Sequence, residues 1–573
     1  MIKRSLEAMM PTIQTYLPRT RIAYFSMEIG LRPEIHTYAG GLGILAGDVA
    51  RSAADLELPM VFVTLASRQG YLRQEINEDG WQIDHPDPWD LSQWATPLGA
   101  MTAITIEGRS VWVRPWLYEL SSPRGNRVPV IYLDTDVEPN APEDRAITDR
   151  LYGGSEIDRL KQEVVLGVGG ETILRALGFA IETYHMNEGH AALLAVSLLR
   201  QHRRGRYDGT EELMRYNADA VRRQCVFTTH TPVEAGHDRF TYDDAARVLG
   251  DFIELDQLKL LAGRDKLNMT HLALKLSGYI NGVARRHAET ARQLYPGYRI
   301  RSITNGVHPG QWVHPAMAAL FDGIFPEWHY EPDELMRADQ QSDEAIWTAH
   351  QRAKDELVEE IRSRTGVNLS PSLPIIGFAR RMTGYKRPDL LFADRERLEA
   401  IHSRWPFQVV FSGKAHPRDD VGKASIQQVI AHSRRTEGRI VFLPGYDMAL
   451  AAKLIAGSDV WLNTPLPPFE ASGTSGMKAA LNGVLNLSSL DGWWVEACEE
   501  GITGWAIGHT VGEASHEADA RALYDKLEHI VLPTYHQDRA RWIWMMKQAI
   551  SRIGSRFNTQ HMMRRYASEA YLR

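Results

Sequence analysis

Five short apolar runs punctuate the second half of the chain: Leu373 to Ala379, Phe407 to Gly413, Arg439 to Leu443, Asp459 to Asn463 and Val484 to Leu487. Stretches with a helical pattern separate most of them. A short run that stays apolar without alternation suits a strand buried on both faces, and such strands belong to parallel sheets covered by helices on either side. Right-handed crossovers through the intervening helices then give a doubly wound sheet. The alternation of strand and helix reads as α/β with parallel sheets.

The first half repeats the theme less regularly. Arg21 to Ser26 and Leu58 to Thr64 read as strands on either side of a helical stretch from about Gly43 to Leu56. Val111 to Leu117 and Val128 to Leu133 read as additional strands. Glu182 to Asn187 and Cys225 to His230 read as strand ends followed by turns or helices. A charged helix from Glu344 to Arg364 is placed to join two lobes, and a helical stretch from about Ala518 to Ser555 to pack across them. A chain of 573 residues exceeds one ordinary core. The expected fold is α/β, with two lobes and a cleft between them, and ligands of such sheets lie beyond the carboxyl ends of the strands.

Charge and cysteine content narrow the function classes. Sixty-five Lys and Arg against 72 Asp and Glu leave a net charge of −7. That balance argues against nucleic acid or an anionic membrane as the main partner. Any phosphate must therefore be met by a local basic cluster. The two cysteines, Cys225 and Cys498, supply neither a disulfide framework nor a Cys-rich metal site. The N-terminus makes a poor signal peptide, and no apolar run approaches the ~20 residues that span a bilayer. A cytoplasmic soluble protein is the expectation.

Three segments at the strand ends carry unusual chemistry. After Ala379 come Arg380, Arg381, Lys386 and Arg387, with Tyr385 among them, a run of cations that suits phosphate recognition and equally describes a solvated basic turn. Gly40, Gly41, Leu42 and Gly43 form a glycine-rich turn entering a helix, where free N–H groups can meet an anion. It is neither GxGxxG nor a P-loop, and a plain tight turn explains it as well. In Glu470-Ala-Ser472-Gly473-Thr474-Ser475-Gly-Met-Lys478, small residues bring a carboxylate and a lysine to a helix start. Lys478 there sits beside apolar residues that favour a neutral amine, a candidate Schiff-base nucleophile. An ordinary helix start with an exposed lysine is the bland alternative. His185, His190, His230 and His308 stand at turns without metal spacing, as substrate contacts or as satisfied structural histidines.

Taken together and in this order, these segments resemble the glycogen/α-glucan phosphorylase family from about Tyr24 to Glu496. The resemblance implies two Rossmann-like lobes of the GT-B glycosyltransferase type, with the active site between them. It implies an N-terminal lobe over 1–310, a C-terminal lobe over 311–540 and a helical segment over 541–573 that packs across both. It makes Lys478 the attachment point of pyridoxal 5'-phosphate, with Arg380, Gly473, Thr474, Ser475, Trp312 and Tyr446 around the cofactor. Lys478, His230, Arg381 and Lys386 become the catalytic set. Gly40, Gly41, Leu42, Glu188, His190, Asn305, Glu470, Ser472 and Gly473 become substrate contacts, with no metal.

The implied reaction is phosphorolysis of the terminal α-1,4 bond of an α-glucan or maltodextrin by inorganic phosphate. It yields α-glucose 1-phosphate with retention, and the implied assembly is a homodimer. Several residues depart from the family pattern: Arg380 replaces a lysine, Ser475-Gly476 replaces Gly-Asn, Asp447 an arginine and Glu188 an aspartate. The chain is also short for the family. A nucleotide-sugar-dependent glucan synthase of the same architecture is the alternative, but it leaves Lys478 unexplained. A noncatalytic glucan-binding paralogue is a third reading.

Overall fold

Every run named in the second half forms a strand in the computed structural model, which describes residues 13–203, 215–233, 236–508 and 515–572. The strands are Ile375–Ala379, Gln408–Ser412, Ile440–Leu443, Val460–Asn463 and Leu485–Ser489, and every residue in them is buried. A sixth, Gly504–Ile507, joins at the edge. The spatial order runs from Ile440–Leu443 through Gln408–Ser412, Ile375–Ala379, Val460–Asn463 and Leu485–Ser489 to this sixth strand, all parallel. The edge strand escapes the sequence pattern because Gly504 and Ala506 dilute its apolar signal.

The N-terminal sheet corrects the expectation of purely parallel sheets. Seven strands are parallel neighbours: Ile300–Ser302, Tyr279–Gly282, Cys225–Thr228, Thr183–Asn187, Ile22–Ser26, Met60–Leu65 and Arg127–Asp134. Arg109–Ser121 then pairs antiparallel with Arg127–Asp134 and carries Thr96–Pro97 and Thr102–Ile106 on its other edge. Its burial alternates over most of its length, as expected where an antiparallel edge faces solvent on one side.

The charged helix forms at Asp343–Thr365, one residue longer at each end than expected. Ser342 caps its first turn by accepting from Ala345 N–H, and left-handed Gly366 ends it. It does not link two lobes. Its buried stripe of Ile346, Ala349, Ala353, Leu357 and Ile361 recurs every three or four residues, and Ile346, Ala349, Leu357 and Ile361 lie in the apolar core of the C-terminal sheet.

The C-terminal stretch is helical: His516–Lys526 runs through a π turn, Leu527–Val531, into Leu532–Gln537, and Arg539–Ala549 continues into a π turn, Ile550–Gly554. A last helix, Thr559–Tyr566, returns to the N-terminal half. There Ser52 Oγ donates to Thr559 Oγ1 at 2.6 Å, and Val307 and Thr559 exchange backbone bonds with the neighbouring segments. A Cβ at Gly306 would come within 2.2 Å of the Asn558 backbone, so this close approach admits only glycine. His185 is fully used in the same junction, bonded to Tyr571 OH at 2.7 Å and to Thr228 Oγ1 at 2.8 Å. His308 bonds Asp55 at 2.8 Å. Both are structural histidines. Both cysteines are free thiols. Among the described residues, no helix is long and apolar enough to cross a membrane.

Candidate active site

Each sheet has one strand where the winding reverses. In the C-terminal sheet Ile375–Ala379 lies between Gln408–Ser412 and Val460–Asn463. In the N-terminal sheet Ile22–Ser26 lies between Met60–Leu65 and Thr183–Asn187. Connections leave such a strand in opposite directions and open a crevice beyond its carboxyl end. Arg380 and Arg381 follow the first of these strands, and Glu28 follows the second.

Arg380 and Lys386 converge on Glu470. Arg380 Nη2 donates to Glu470 Oε2 at 2.8 Å, and Lys386 Nζ donates to the same oxygen. The three side chains are only 8–9% exposed. Burial by itself would raise the Glu470 pKa; the adjacent Lys386 and Arg380 overcome it and pull the carboxyl down to about 2. Glu470 N–H donates to Asp491, whose carboxyl is pushed up to about 6, chiefly by burial. Arg380 Nη1 is buried with no partner, and the Tyr446 phenol lies near this guanidinium. Sequence reading placed these residues at one site but did not pair Glu470 with both cations. Arg387 stood out only as one more cation of the basic run. Buried and left-handed at φ 47°, it donates to Thr464 O and Pro465 O and ion-pairs with Asp519, pinning the basic turn.

Lys478 lies on the helix Ser475–Leu481 and is 6% exposed. Its Nζ sits 3.5 Å above the centre of the Trp312 indole. Burial lowers its pKa to about 8, against the opposing pull of Asp48. An amine of this kind is uncharged often enough near neutrality to act as a nucleophile. Gly473, at φ +90°, allows the sharp turn that leads from Glu470 to this helix. Ser472 Oγ is buried without a partner. Ser475 Oγ instead accepts from Trp461 Nε1 at 3.0 Å. Thr474 O accepts from Lys478 N–H.

The glycine turn is tied down by Glu28, which sequence reading missed. Glu28 is 3% exposed. Its Oε2 accepts from Ala39 N–H at 2.6 Å and Gly40 N–H at 3.1 Å, and Oε1 accepts from Tyr152 OH at 2.7 Å. The helix Gly41–Asp55 starts two residues earlier than expected, so Gly41 and Leu42 lie in its first turn. A Cβ at Gly40 or Gly41 would meet nothing within 4 Å, which leaves open space over the turn. Burial raises the Glu28 carboxyl overall; the hydrogen bonds it accepts oppose this, and Arg381, from the C-terminal half, lies close enough to do so as well. Arg381 is surrounded by protein groups yet solvent-exposed, as a cation lining a cleft is.

Glu188 fixes the histidine turn. At 6% exposed and φ 73°, its carboxylate accepts from His230 N–H at 2.7 Å, Thr231 Oγ1 at 3.0 Å and Gly189 N–H at 3.0 Å. The glutamate that departs from the family pattern therefore acts on backbone. His230 Nε2 bonds Asn187 Oδ1 at 2.6 Å, and burial pulls the imidazole pKa down to about 3. His190 stands 3.4 Å from Asp238 and is likewise held near 3, mainly by burial. Tyr152, whose ring lies by His190 and under Arg159, links this turn to Glu28. Asn305 is anchored by its backbone N–H to Val283 O, and its buried Oδ1 has no partner. Among the described residues, no hydrogen bond ties the Asn305 side chain to the Glu470 or Lys478 groups.

These residues fit a pyridoxal phosphate. A buried, weakly basic amine lies over an aromatic face, and a buried guanidinium edge has no partner. The carbohydrate phosphorylase family matches residues 210–520. The maltodextrin phosphorylase of Thermococcus litoralis is 38% identical over 96% of this chain and 70% of its own length. The glycogen phosphorylase of Mycobacterium tuberculosis is 37% identical over 96% of this chain and 71% of its own. That of Aquifex aeolicus is 35% identical over 96% and 86%. The chain thus spans seven- to nine-tenths of these longer relatives. With more than a third of residues shared along nearly its whole length, the chain belongs to the carbohydrate phosphorylase family, enzymes that use pyridoxal phosphate.

Proposed function

We propose that the residues between the two sheets carry out α-1,4-glucan phosphorolysis, releasing α-glucose 1-phosphate with retention of configuration. By family and relatives the chain is an α-glucan phosphorylase that acts on a glucan and phosphate. The finer architecture we infer is the GT-B pair of Rossmann-like lobes, divided near 310, with 541–573 returning over both. The reversal points of the two sheets, with Arg381 lying near Glu28, support a cleft site. Free thiols at Cys225 and Cys498 suit a reducing, cytoplasmic setting.

The observation that carries the site assignment is Lys478: buried, weakly basic and seated on Trp312. Lys478 would hold the cofactor, with Trp312 against it and Arg380, Gly473, Thr474, Ser475 and Tyr446 around it. When bound, pyridoxal phosphate supplies a phosphate group that exchanges a proton with the substrate phosphate. Arg381, Lys386 and the Gly40–Gly41–Leu42 N–H groups would hold that substrate phosphate. Two phosphates held close together repel, so a site for both requires several cations and aligned N–H groups. Glu470, Ser472, Gly473 and Asn305 would hold the glucosyl hydroxyls, and Glu188 would position His230 and His190 beside the sugar. Because His230 is held neutral, its backbone carbonyl and ring can contact the sugar without adding positive charge.

Glucose 1-phosphate formed from maltodextrin and phosphate by the purified protein tests the function. Absence of that product with loaded cofactor refutes it. Arg381→Ala is expected to raise the KM for phosphate roughly 10–100-fold, the worth of one or two charge-assisted hydrogen bonds, with the glucan KM little changed. Steady-state kinetics with each substrate varied check this. An unchanged phosphate KM removes Arg381 from the phosphate site. Glu28→Gln keeps an acceptor for one N–H but places a donor amide against the other groups of the turn. It is expected to weaken phosphate use by roughly tenfold. Equal losses for phosphate and glucan would show a general structural fault instead.

A further inference from the structure

Asp48 takes no part in the phosphate or glucan contacts, yet it stands beside the cofactor lysine. It lies on the helix Gly41–Asp55, about two turns beyond the glycine turn, and is 1% exposed. Its Oδ2 accepts from Trp312 Nε1 at 2.7 Å and from His308 N–H at 3.2 Å. Its Oδ1 accepts from Arg51 Nη1 at 3.3 Å. Both oxygens are engaged, so the carboxylate has one orientation. The indole it grips carries Lys478 Nζ 3.5 Å above the ring centre. A carboxylate of the N-terminal half thereby seats a lysine of the C-terminal half, with one tryptophan between them.

The charged groups acting on Lys478 are Asp48 and Arg51. Arg51 is occupied by the carbonyls of Gly30 and Leu31 and by Asp48 itself. His308, which caps the short helix Pro309–Trp312, offers Asp48 its backbone N–H and turns its imidazole to Asp55. Asp48 is thus the acidic side chain placed to oppose a charge on Lys478. Nothing in the sequence pattern marks it, because it is a lone acidic residue on the buried face of a helix.

We propose that Asp48 is a positioning residue for the cofactor lysine: its bond to Trp312 Nε1 holds the indole against Lys478 Nζ, and its carboxylate is the counter-charge to that nitrogen. The inference rests on Lys478 being the point of cofactor attachment. Burial disfavours a charged nitrogen there, and Arg51 adds to that effect, while Asp48 opposes both. Without the carboxylate, the Lys478 nitrogen holds a proton less tightly, whether free or joined to the cofactor.

The test compares holoenzymes of the wild type, Asp48→Asn and Trp312→Phe. Asp48→Asn keeps an oxygen for the indole N–H and removes the charge. Across a pH series, the balance between protonated and unprotonated absorbance bands of the lysine–cofactor linkage is expected to shift toward the unprotonated form by roughly tenfold. Trp312→Phe keeps the charge and breaks the bond. It is expected to shift that balance less and to slow borohydride trapping at Lys478 severalfold. Asp48→Asn with the wild-type balance overturns the counter-charge role. Trp312→Phe with wild-type trapping overturns the positioning role, and can be read even if Asp48→Asn does not fold. Peptide mapping of the trapped adduct separates the two levels: an adduct on another lysine overturns the attachment reading beneath the proposal.

Discussion

Lys478→Ala should yield a folded protein with no covalently held cofactor and almost no phosphorolysis. Folding should survive because the Lys478 amine lies over Trp312 and its side chain enters no ion pair among the described residues. Deleting it leaves the Asp48 carboxylate still held by Arg51, Trp312 Nε1 and His308 N–H, so no buried charge is left without a partner. The activity loss should be at least the roughly 10³-fold that one lost electrostatic contact can cost, since the whole cofactor loses its anchor. Lys478→Arg sharpens the experiment. It keeps a cation at the position but cannot condense with an aldehyde, so it separates charge from covalent attachment. Cofactor absorbance, borohydride trapping and glucose 1-phosphate release measure the outcome. A Lys478→Ala protein that retains wild-type turnover would refute the attachment role.

Glu470→Ala should be the most destabilising change at the site. The carboxylate is buried between Arg380 and Lys386, and its loss leaves two cations facing each other without compensation. Breaking a buried pair by removing one partner costs about 3–5 kcal/mol. If these cations bind phosphates, added phosphate should recover part of that loss, and chemical unfolding with and without phosphate measures the difference. A cost that phosphate leaves unchanged would make the triad purely structural.

The same geometry sets an acid limit. The Glu470 carboxyl is held at about 2 in the folded protein, below its ordinary 4.5. Its stabilising contribution is therefore complete above about 4.5 and is lost as the pH falls from there toward 2. Glu470→Gln should lack that component of the acid transition.

Much of the site was legible as sequence because its chemistry lies in contiguous segments. Arg380, Arg381 and Lys386 follow one strand, and Glu470 to Lys478 form one turn and helix start. A run of small residues between a carboxylate and a lysine stands out without knowledge of the fold. Glu28 and Asp48 did not stand out, and Arg387 stood out only as one more cation of the basic run. Each is a single charged residue whose partners lie elsewhere in the chain: Glu28 acts on Ala39, Gly40 and Tyr152, Asp48 on Trp312, and Arg387 on Thr464 and Asp519. Glu188 was found, but its task was not. Only the fold shows that it accepts from the backbone of His230, forty-two residues away.

The sequence by itself determined the α/β class, five of the six strands of the C-terminal sheet and the segments that carry cations, glycines and lysine. Strand burial and local charge are properties of neighbouring residues, so they are written in the order of the chain. The strand order, the antiparallel edge of the N-terminal sheet and the return of the last helix to the N-terminal half were decided only in three dimensions. So was the pairing of Glu470 with both cations. Such contacts depend on which distant segments meet, and the energy of a buried charge is set by whatever surrounds it after folding.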